Sequence, residues 1–188
     1  MVSGLATKVD VGDYFHQLLH PRPTVLVVTV GRDGKVNVMA CSWNTPVSEE
    51  PPTVAISIWR ESYTHQLLKE VPEFTINIPT AQLLRAVMVA GTASGREVDK
   101  VSAAGLTLRP ARRVRPPVVE ECVGHLECRV VEEIAVGECT LFVGEVLEAY
   151  ASSSAFNRGW SLRDVDLLLH LWGRRFAIPK RTIWAKRE

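Results

Sequence analysis

The sequence has no long hydrophobic run, no excess of either charge and almost no cysteine pattern. Its longest apolar stretches fall far short of the roughly 20 residues a membrane-crossing helix needs. Lysine plus arginine number 22 and aspartate plus glutamate 21, so the basic excess that neutralises phosphates in a nucleic-acid binder is missing. Two locally basic runs, ARRVR at 111–115 and the Arg and Lys pairs after residue 173, read as a solvated edge and tail. The four cysteines, Cys41, Cys122, Cys128 and Cys139, form no CxxC pair and no zinc-like spacing. Reduced cytosolic thiols are the simplest account of them. Residues 1–15 lack an apolar h-region, so no secretory signal is expected and the location reads as cytoplasmic. Catalytic signatures are also wanting. No GxGxxG follows a strand, GTASGREVDK (91–100) lacks the GK[ST] ending of a P-loop, and neither GxSxG nor HExxH occurs. His16 and His20 are four apart, but Pro21 ends any helix there and no third ligand accompanies them, so no metal is expected.

What is present is a globular mixture, 46% apolar and 23% charged over 188 residues. That is the size of one domain, taken here as 1–188, which buries on the order of 70% of the surface its unfolded chain exposes. Residues 11–19 (VGDYFHQLL) have helical spacing and stop at His20-Pro21-Arg22-Pro23, where the prolines force extended backbone. Residues 24–30 (TVLVVTV) are β-branched and read as a buried strand. Asp33-Gly34 supplies a tight hairpin turn. Residues 36–43 then alternate, with Val36, Val38, Ala40 and Ser42 on one face and Asn37, Met39, Cys41 and Trp43 on the other. Prolines and glutamates make 46–52 a loop. Strands are predicted at 53–59 and 73–78, with a helix between them capped by Ser62 or Thr64 and running through Val71. Thr80 is expected to cap a helix through about Val89, followed by loop at 91–96 and a helical turn or two at 98–104 ending on Gly105. A short strand at 106–108, an Arg- and Pro-rich outer wrap at 109–117, and strands at 124–134 and 138–149 joined by a turn at 135–137 follow. Residues 166–178 (DLLLHLWGRRFAI) are apolar, helix or strand. Six or seven short strands joined by hairpins, with two or three short helices, predict a mainly β fold built as an antiparallel barrel.

One set of polar residues gathers at predicted strand ends: Asn37, Ser42, Trp43 and Asn44, then Arg60, Ser62 and Thr64, and finally Lys100. Hydroxyls beside an Arg suit a phosphate, Asn and main-chain amides suit the polar edge of a ring, and an indole suits its face. A flavin mononucleotide needs those three things. The other reading is that strand-end polar residues satisfy one another locally.

Several pieces, in order, carry a resemblance: HPRPTVLVVT, DGKVNVMACSWNTPVS, PPTVAISI, YTHQLL, EFTINIP, GTASGREVDK, LECRVV and GECTLFVGEV. Between His20 and Val146 the chain resembles the flavin reductase-like domain family, the FMN-binding split barrel of the flavoredoxin type. The resemblance implies an antiparallel split β-barrel, a homodimer with one FMN per subunit, FAD being the alternative flavin. It also implies reducing equivalents drawn from NADH or NADPH and passed to free flavin, a redox partner protein or a metal. Residue by residue, it implies that Asn37 and Trp43 line the flavin, with Ala40, Cys41, Ser42 and Asn44 beside them, that Thr64 lies on the phosphate side and that Lys100 is a basic residue close to the cofactor. Arg60 and Ser62 join that set by charge and by proximity in sequence. No catalytic acid or base is assigned. One departure stands out: where members often read Gly-Asp-His, this chain has Gly137-Glu138-Cys139, so Cys139 is either a redox-active thiol or a small buried strand residue. Trp172 and Phe176 are expected in the core, at a dimer contact, or closing over the flavin. Three functions follow as expectations: a reductase, an electron carrier that oxidises nicotinamide slowly, and a barrel that has lost its flavin.

Overall fold

A computed structural model describes residues 7–185. The first six residues, part of the stretch read for a leader, and the final Lys186-Arg187 pair lie outside the described residues.

The core of the molecule is a seven-stranded antiparallel sheet. It comprises β2 (Val25–Val30), β3 (Val36–Cys41), β4 (Asn44–Glu49), β5 (Pro52–Trp59), β6 (Glu73–Ile78), β9 (Gly124–Val136) and β10 (Cys139–Ala151). Their order is β3-β2-β6-β9-β10-β5-β4. The two edge strands, β3 and β4, are joined by Ser42 and Trp43 alone. A link that short closes the sheet on itself, leaving a split barrel between its edges. Asn44 spans the junction by donating from Nδ2 to the carbonyls of Pro23 and Cys41.

The remaining strands are short. β1 (Arg22–Pro23) pairs with β11 (Leu169–Trp172), which turns through Gly173 into β12 (Arg175–Ala177). β7 (Leu108–Arg109) pairs with β8 (Val118–Val119). So the apolar segment 166–178, open between helix and strand from its sequence, is a hairpin.

The two faces of β3 go where their alternation sends them. Cys41 and Met39 face an inner cluster with Val25, Val27, Ile56, Phe74 and Phe142. Val38, with Val36 and Ala40 packed against it, faces an outer cluster with Leu26, Val28, Val87 and Leu168. β2 is buried along its whole length because both clusters claim it, which is why its sequence is a continuous β-branched run. Phe74 and Phe142 are fully enclosed; truncating either to alanine costs about 3–5 kcal/mol by cavity formation.

Three helices cover the barrel. α1 (Tyr63–Glu70) starts at Ser62, whose Oγ accepts from the His65 amide at 3.1 Å. α2 (Leu84–Thr92) lies on the outer face of β3. α3 (Lys100–Ala104) is capped by Asp99 and ends on Gly105 in the left-handed region at φ 68°, where glycine carries no Cβ penalty.

Several expectations are corrected. Residues 44–49 are a strand, not a loop: Pro46 has no N–H to give, but β4 is an edge and its register shifts between Pro46 and Ser48, so little is lost. β3 stops at Cys41, two residues short of Trp43. Thr80 makes no side-chain cap; a 3₁₀ turn (Ala81–Leu83) precedes α2, which runs on through Gly91 and Thr92. The β9–β10 turn is only Gly137 and Glu138, so both strands extend further than their patterns suggest. Residues 12–19 form a 3₁₀ rather than an α-helix, with Tyr14, Phe15, Leu18 and Leu19 exposed.

The 109–117 wrap lies outside the barrel, as its composition implies. The Arg112 and Arg113 amides both donate to the buried Glu127 carboxylate, the Arg115 amide donates to Glu73 Oε2 at 2.9 Å, and Thr75 Oγ1 donates to the Pro117 carbonyl at 2.7 Å. The basic run 111–115 is therefore pinned by its backbone, not left as a free edge.

Candidate functional site

The end of β3, the head of α1 and the tail of α2 meet at the split. Two cavities flank α2 there and share Gly91 and Thr92. Gly91 allows α2 to sit close to β3, since a Cβ added to it would come 3.2 Å from that of Ala40.

The larger of the two, about 300 Å³, carries the charged side chains Glu61, Arg96 and Lys100. Ser62, Tyr63 and Thr64 enter it from α1, Trp59 from the end of β5, and Thr92 to Arg96 from the loop after α2. Thr64 is fixed from behind by Asn37, whose Nδ2 donates to Thr64 Oγ1 at 2.9 Å. Asn37 is 2% exposed and its Oδ1 has no partner. A Cβ on Gly95 would stand 2.1 Å from that oxygen, so only glycine lets the 93–96 loop come this close. Lys100 closes the floor. It is 6% exposed, and its Nζ donates to the Ala90 carbonyl at 3.0 Å. Burial pulls its ammonium down to about 8, because removing a cation from water without a counter-charge favours the neutral form. At the rim Tyr63 is held between two cations, Lys35 Nζ at 5.2 Å and the Arg96 guanidinium at 5.5 Å from its ring.

The smaller cavity, about 220 Å³, lies between the β3 end, α2 and the β11–β12 hairpin. Ala40, Cys41 and Ser42 form one wall, Val87 and Met88 a second, and His170, Gly173 and Phe176 a third. Burial raises the Cys41 thiol to about 11, which keeps it protonated and inert. No carboxylate lines this cavity.

The eleven sequence-derived site residues thus divide by place. Ala40, Cys41 and Ser42 line the smaller cavity, and Ser62, Thr64 and Lys100 the larger. Asn37 lines neither; it braces Thr64 from the interior. Trp43 and Asn44 stand outside the cavities, Trp43 beneath the Arg22 guanidinium at 5.3 Å and beside the His16 ring at 6.2 Å. Arg60 points away: its amide donates to the Glu138 carbonyl and its guanidinium to that of Gly137. Cys139, across the ladder from Trp59, is half-buried and lines neither cavity. Of the two late aromatics, Phe176 lines the smaller cavity while Trp172 packs edge-on against Tyr14. His16 and His20 are engaged separately, His16 with Trp43 and His20 with Arg22.

Sequence reasoning missed Thr92, Ser94 and Arg96, although the density of hydroxyl, glycine and arginine in GTASGR was a usable signal. It missed His170 because its segment had no assigned conformation.

The side chains fit a phosphorylated flavin on their own terms: the Lys100 ammonium, bonded to a carbonyl and to no carboxylate among the described residues, the Arg96 side chain and the Ser62 and Thr64 hydroxyls line one cleft, with Glu61 as its one carboxylate. Among solved structures, flavoredoxin of Desulfovibrio vulgaris (Miyazaki F) is 29% identical with a TM-score of 0.85, over 96% of this chain and 97% of that one. An FMN-binding protein from Thermus thermophilus is 25% identical with a TM-score of 0.80, over 98% and 100%. An uncharacterized protein of Archaeoglobus fulgidus is 38% identical over 85% of this chain and 89% of its own length. The family model for the flavin reductase like domain matches residues 18–178, which takes in the barrel, both cavities and the C-terminal hairpin together, and on that match the chain belongs to the flavin reductase-like domain family.

Proposed function

We propose that this protein is a flavoprotein holding FMN non-covalently across the two cavities, and that it works as an NAD(P)H-dependent reductase passing electrons from a nicotinamide to flavin and then to an acceptor. The observation that carries the reading is Lys100, a buried cation whose only hydrogen bond among the described residues is to a carbonyl. A phosphate would supply the missing negative charge.

The residues divide the work. Lys100, Ser62 and Thr64, with the first-turn amides of α1, hold the phosphate end. Asn37 keeps Thr64 in place. Ala40, Cys41 and Ser42, opposite Val87 and Met88, form the walls for the ring end. When bound, the flavin supplies the hydride and electron chemistry, so few protein groups need act as acids or bases. Exposed Tyr14, Phe15, Leu18 and Trp43 beside the ring end support burial against a second copy in a homodimer. Free cysteines support a cytoplasmic location.

The test is an anaerobic absorbance spectrum of the FMN-loaded protein before and after NADH, then NADPH. Bleaching within seconds is the expected outcome. A second reading, an electron carrier without fast nicotinamide oxidation, is favoured by Cys139, which puts a thiol where family members often carry an imidazole. Flavin that binds but stays oxidised would support that reading. Failure to take up FMN would overturn both.

A further inference from the structure

At the ring end of the cleft the hydrogen bonds fix two histidine tautomers. Arg22 Nη2 lies 2.8 Å from His20 Nε2. A guanidinium only donates, so His20 Nε2 accepts and the ring is neutral. Its proton is then on Nδ1, which donates to the His170 carbonyl at 2.9 Å. Burial and Arg22 both hold His20 below the ordinary imidazole range, in keeping with that assignment.

His170 is different. Its Nε2 is 3.2 Å from the Gly173 carbonyl, so Nε2 carries a proton. Its Nδ1 is 3.4 Å from Ser42 Oγ, a contact that works in either direction. With His170 neutral, Ser42 donates to Nδ1 and turns a lone pair to the cavity. With His170 protonated, Nδ1–H donates to Ser42, whose own proton turns outward. Thr24 Oγ1, 4% exposed and without a partner, lines the same cavity.

We propose that His170 is a positioning residue that acts through Ser42, setting by its protonation whether the ring end of the site presents a hydrogen-bond donor or an acceptor. This rests on the flavin reading above. The edge of an oxidised flavin is mostly acceptors, so the cationic state of His170 favours its binding. The charged and titratable groups around the imidazole include Arg22 and His20 at 5.2 Å between rings, Cys41 on β3, His16 reached through Trp172, and Arg174 and Arg175 of its own hairpin, next to the Gly173 it contacts. α2 presents Val87, Met88, Gly91 and Thr92 across the cavity, none of them charged. His20 is held neutral by the guanidinium of Arg22 at its Nε2.

The experiment uses riboflavin, which lacks the phosphate and its own ionisation near neutral pH. Its dissociation constant is measured by fluorescence at about pH 5 and about pH 7, a span that takes in the ordinary histidine value and stops short of the value of about 8 to which burial pulls Lys100. The intact protein should bind riboflavin about fivefold more tightly at the lower pH, the worth of one hydrogen bond. His170→Gln and Ser42→Ala should each abolish that difference, and the two together should do no more. His16→Gln should leave it intact. A difference that survives in His170→Gln, or disappears in His16→Gln, would overturn the proposal while leaving the flavin reading standing. No uptake of riboflavin or FMN at any pH overturns both. Independently of flavin, and even if His170→Gln fails to fold, ¹⁵N imidazole spectra of the full chain should show His170 as the Nε2–H tautomer at high pH. The Nδ1–H tautomer there would overturn the assignment.

Discussion

Two charged side chains are buried among the described residues, and they are treated oppositely. Glu127 on β9 is fully enclosed, yet it accepts from the Arg112 amide at 2.9 Å, the Arg113 amide at 2.6 Å and the Tyr150 hydroxyl at 3.0 Å. The Arg112 guanidinium stacks 4.0 Å from the Tyr150 ring and reaches Glu148 at 3.2 Å. Burial and the Glu127 carboxylate together push the Tyr150 phenol up to about 12, so it stays a donor. Lys100 bonds to one carbonyl and, among the described residues, to no carboxylate. A buried charge that its own chain satisfies is a structural rivet; one that its chain leaves short is held ready for something else. Glu127 fastens the 109–117 wrap, and Lys100 faces the cleft.

The comparison breaks first at Glu127. Glu127→Ala leaves two amides and a hydroxyl without their acceptor and should lower unfolding free energy by about 3–4 kcal/mol in urea melts. FMN affinity, measured on the folded fraction, should hardly change. A loss of FMN binding with stability intact would place Glu127 in the ligand site and erase the contrast.

Lys100→Met should do the reverse. FMN binding should weaken by about 2 kcal/mol, near thirtyfold, as one charge-assisted contact among several is lost. Equal FMN affinity would remove Lys100 from the phosphate end. Without flavin, the variant should be more stable than the parent at neutral pH, because the parent carries an uncompensated buried ammonium. The sign follows from linkage. The folded-state value is pulled to about 8, while the ordinary value is 10.5. Between those values the unfolded chain binds the extra proton, so parental stability rises with pH. The advantage of Lys100→Met should therefore be full below about pH 8 and shrink toward pH 10.5. It should amount to about 3 kcal/mol at most. An advantage that does not vary with pH would mean that the ammonium is hydrated.

The sequence makes much of this contrast legible, but not the pairings. β-branched runs, the Asp33-Gly34 turn and the alternation of 36–41 suffice for an antiparallel barrel, because each is a local signal. Lys100 stands out in GTASGREVDK by resemblance. Glu127 does not: nothing in LECRVV says that its carboxylate will meet amides 14 and 15 residues away. Asn37 was legible as a polar residue on the inner face of β3, but its acceptor, Thr64, is 27 residues on. Long-range partners of this kind are fixed by register, and register is the property a single strand pattern leaves open. The β4 edge and the C-terminal hairpin were hidden for a related reason, since Pro46 and the apolar run 166–178 take strand conformation only because a neighbouring strand is waiting.

The smallest expected effect sharpens the comparison most finely, because it concerns a second cation a few residues from the cleft. Arg60 follows β5 directly and precedes the Ser62 cap, so by sequence it belongs with the phosphate residues. Its side chain turns instead to the Gly137 carbonyl in the β9–β10 turn, while its amide is held by Glu138 at 3.0 Å. It is exposed, and its charge is already hydrated, so it has little unmet demand for an anion. Arg60→Ala should change FMN affinity by less than about twofold and stability by about 0.5 kcal/mol, the usual range for an exposed polar contact. A loss approaching that of Lys100→Met would mean that the anion site opens past Tyr63 toward the hairpin turn. What separates the two cations would then be distance from the ligand, not burial without a partner.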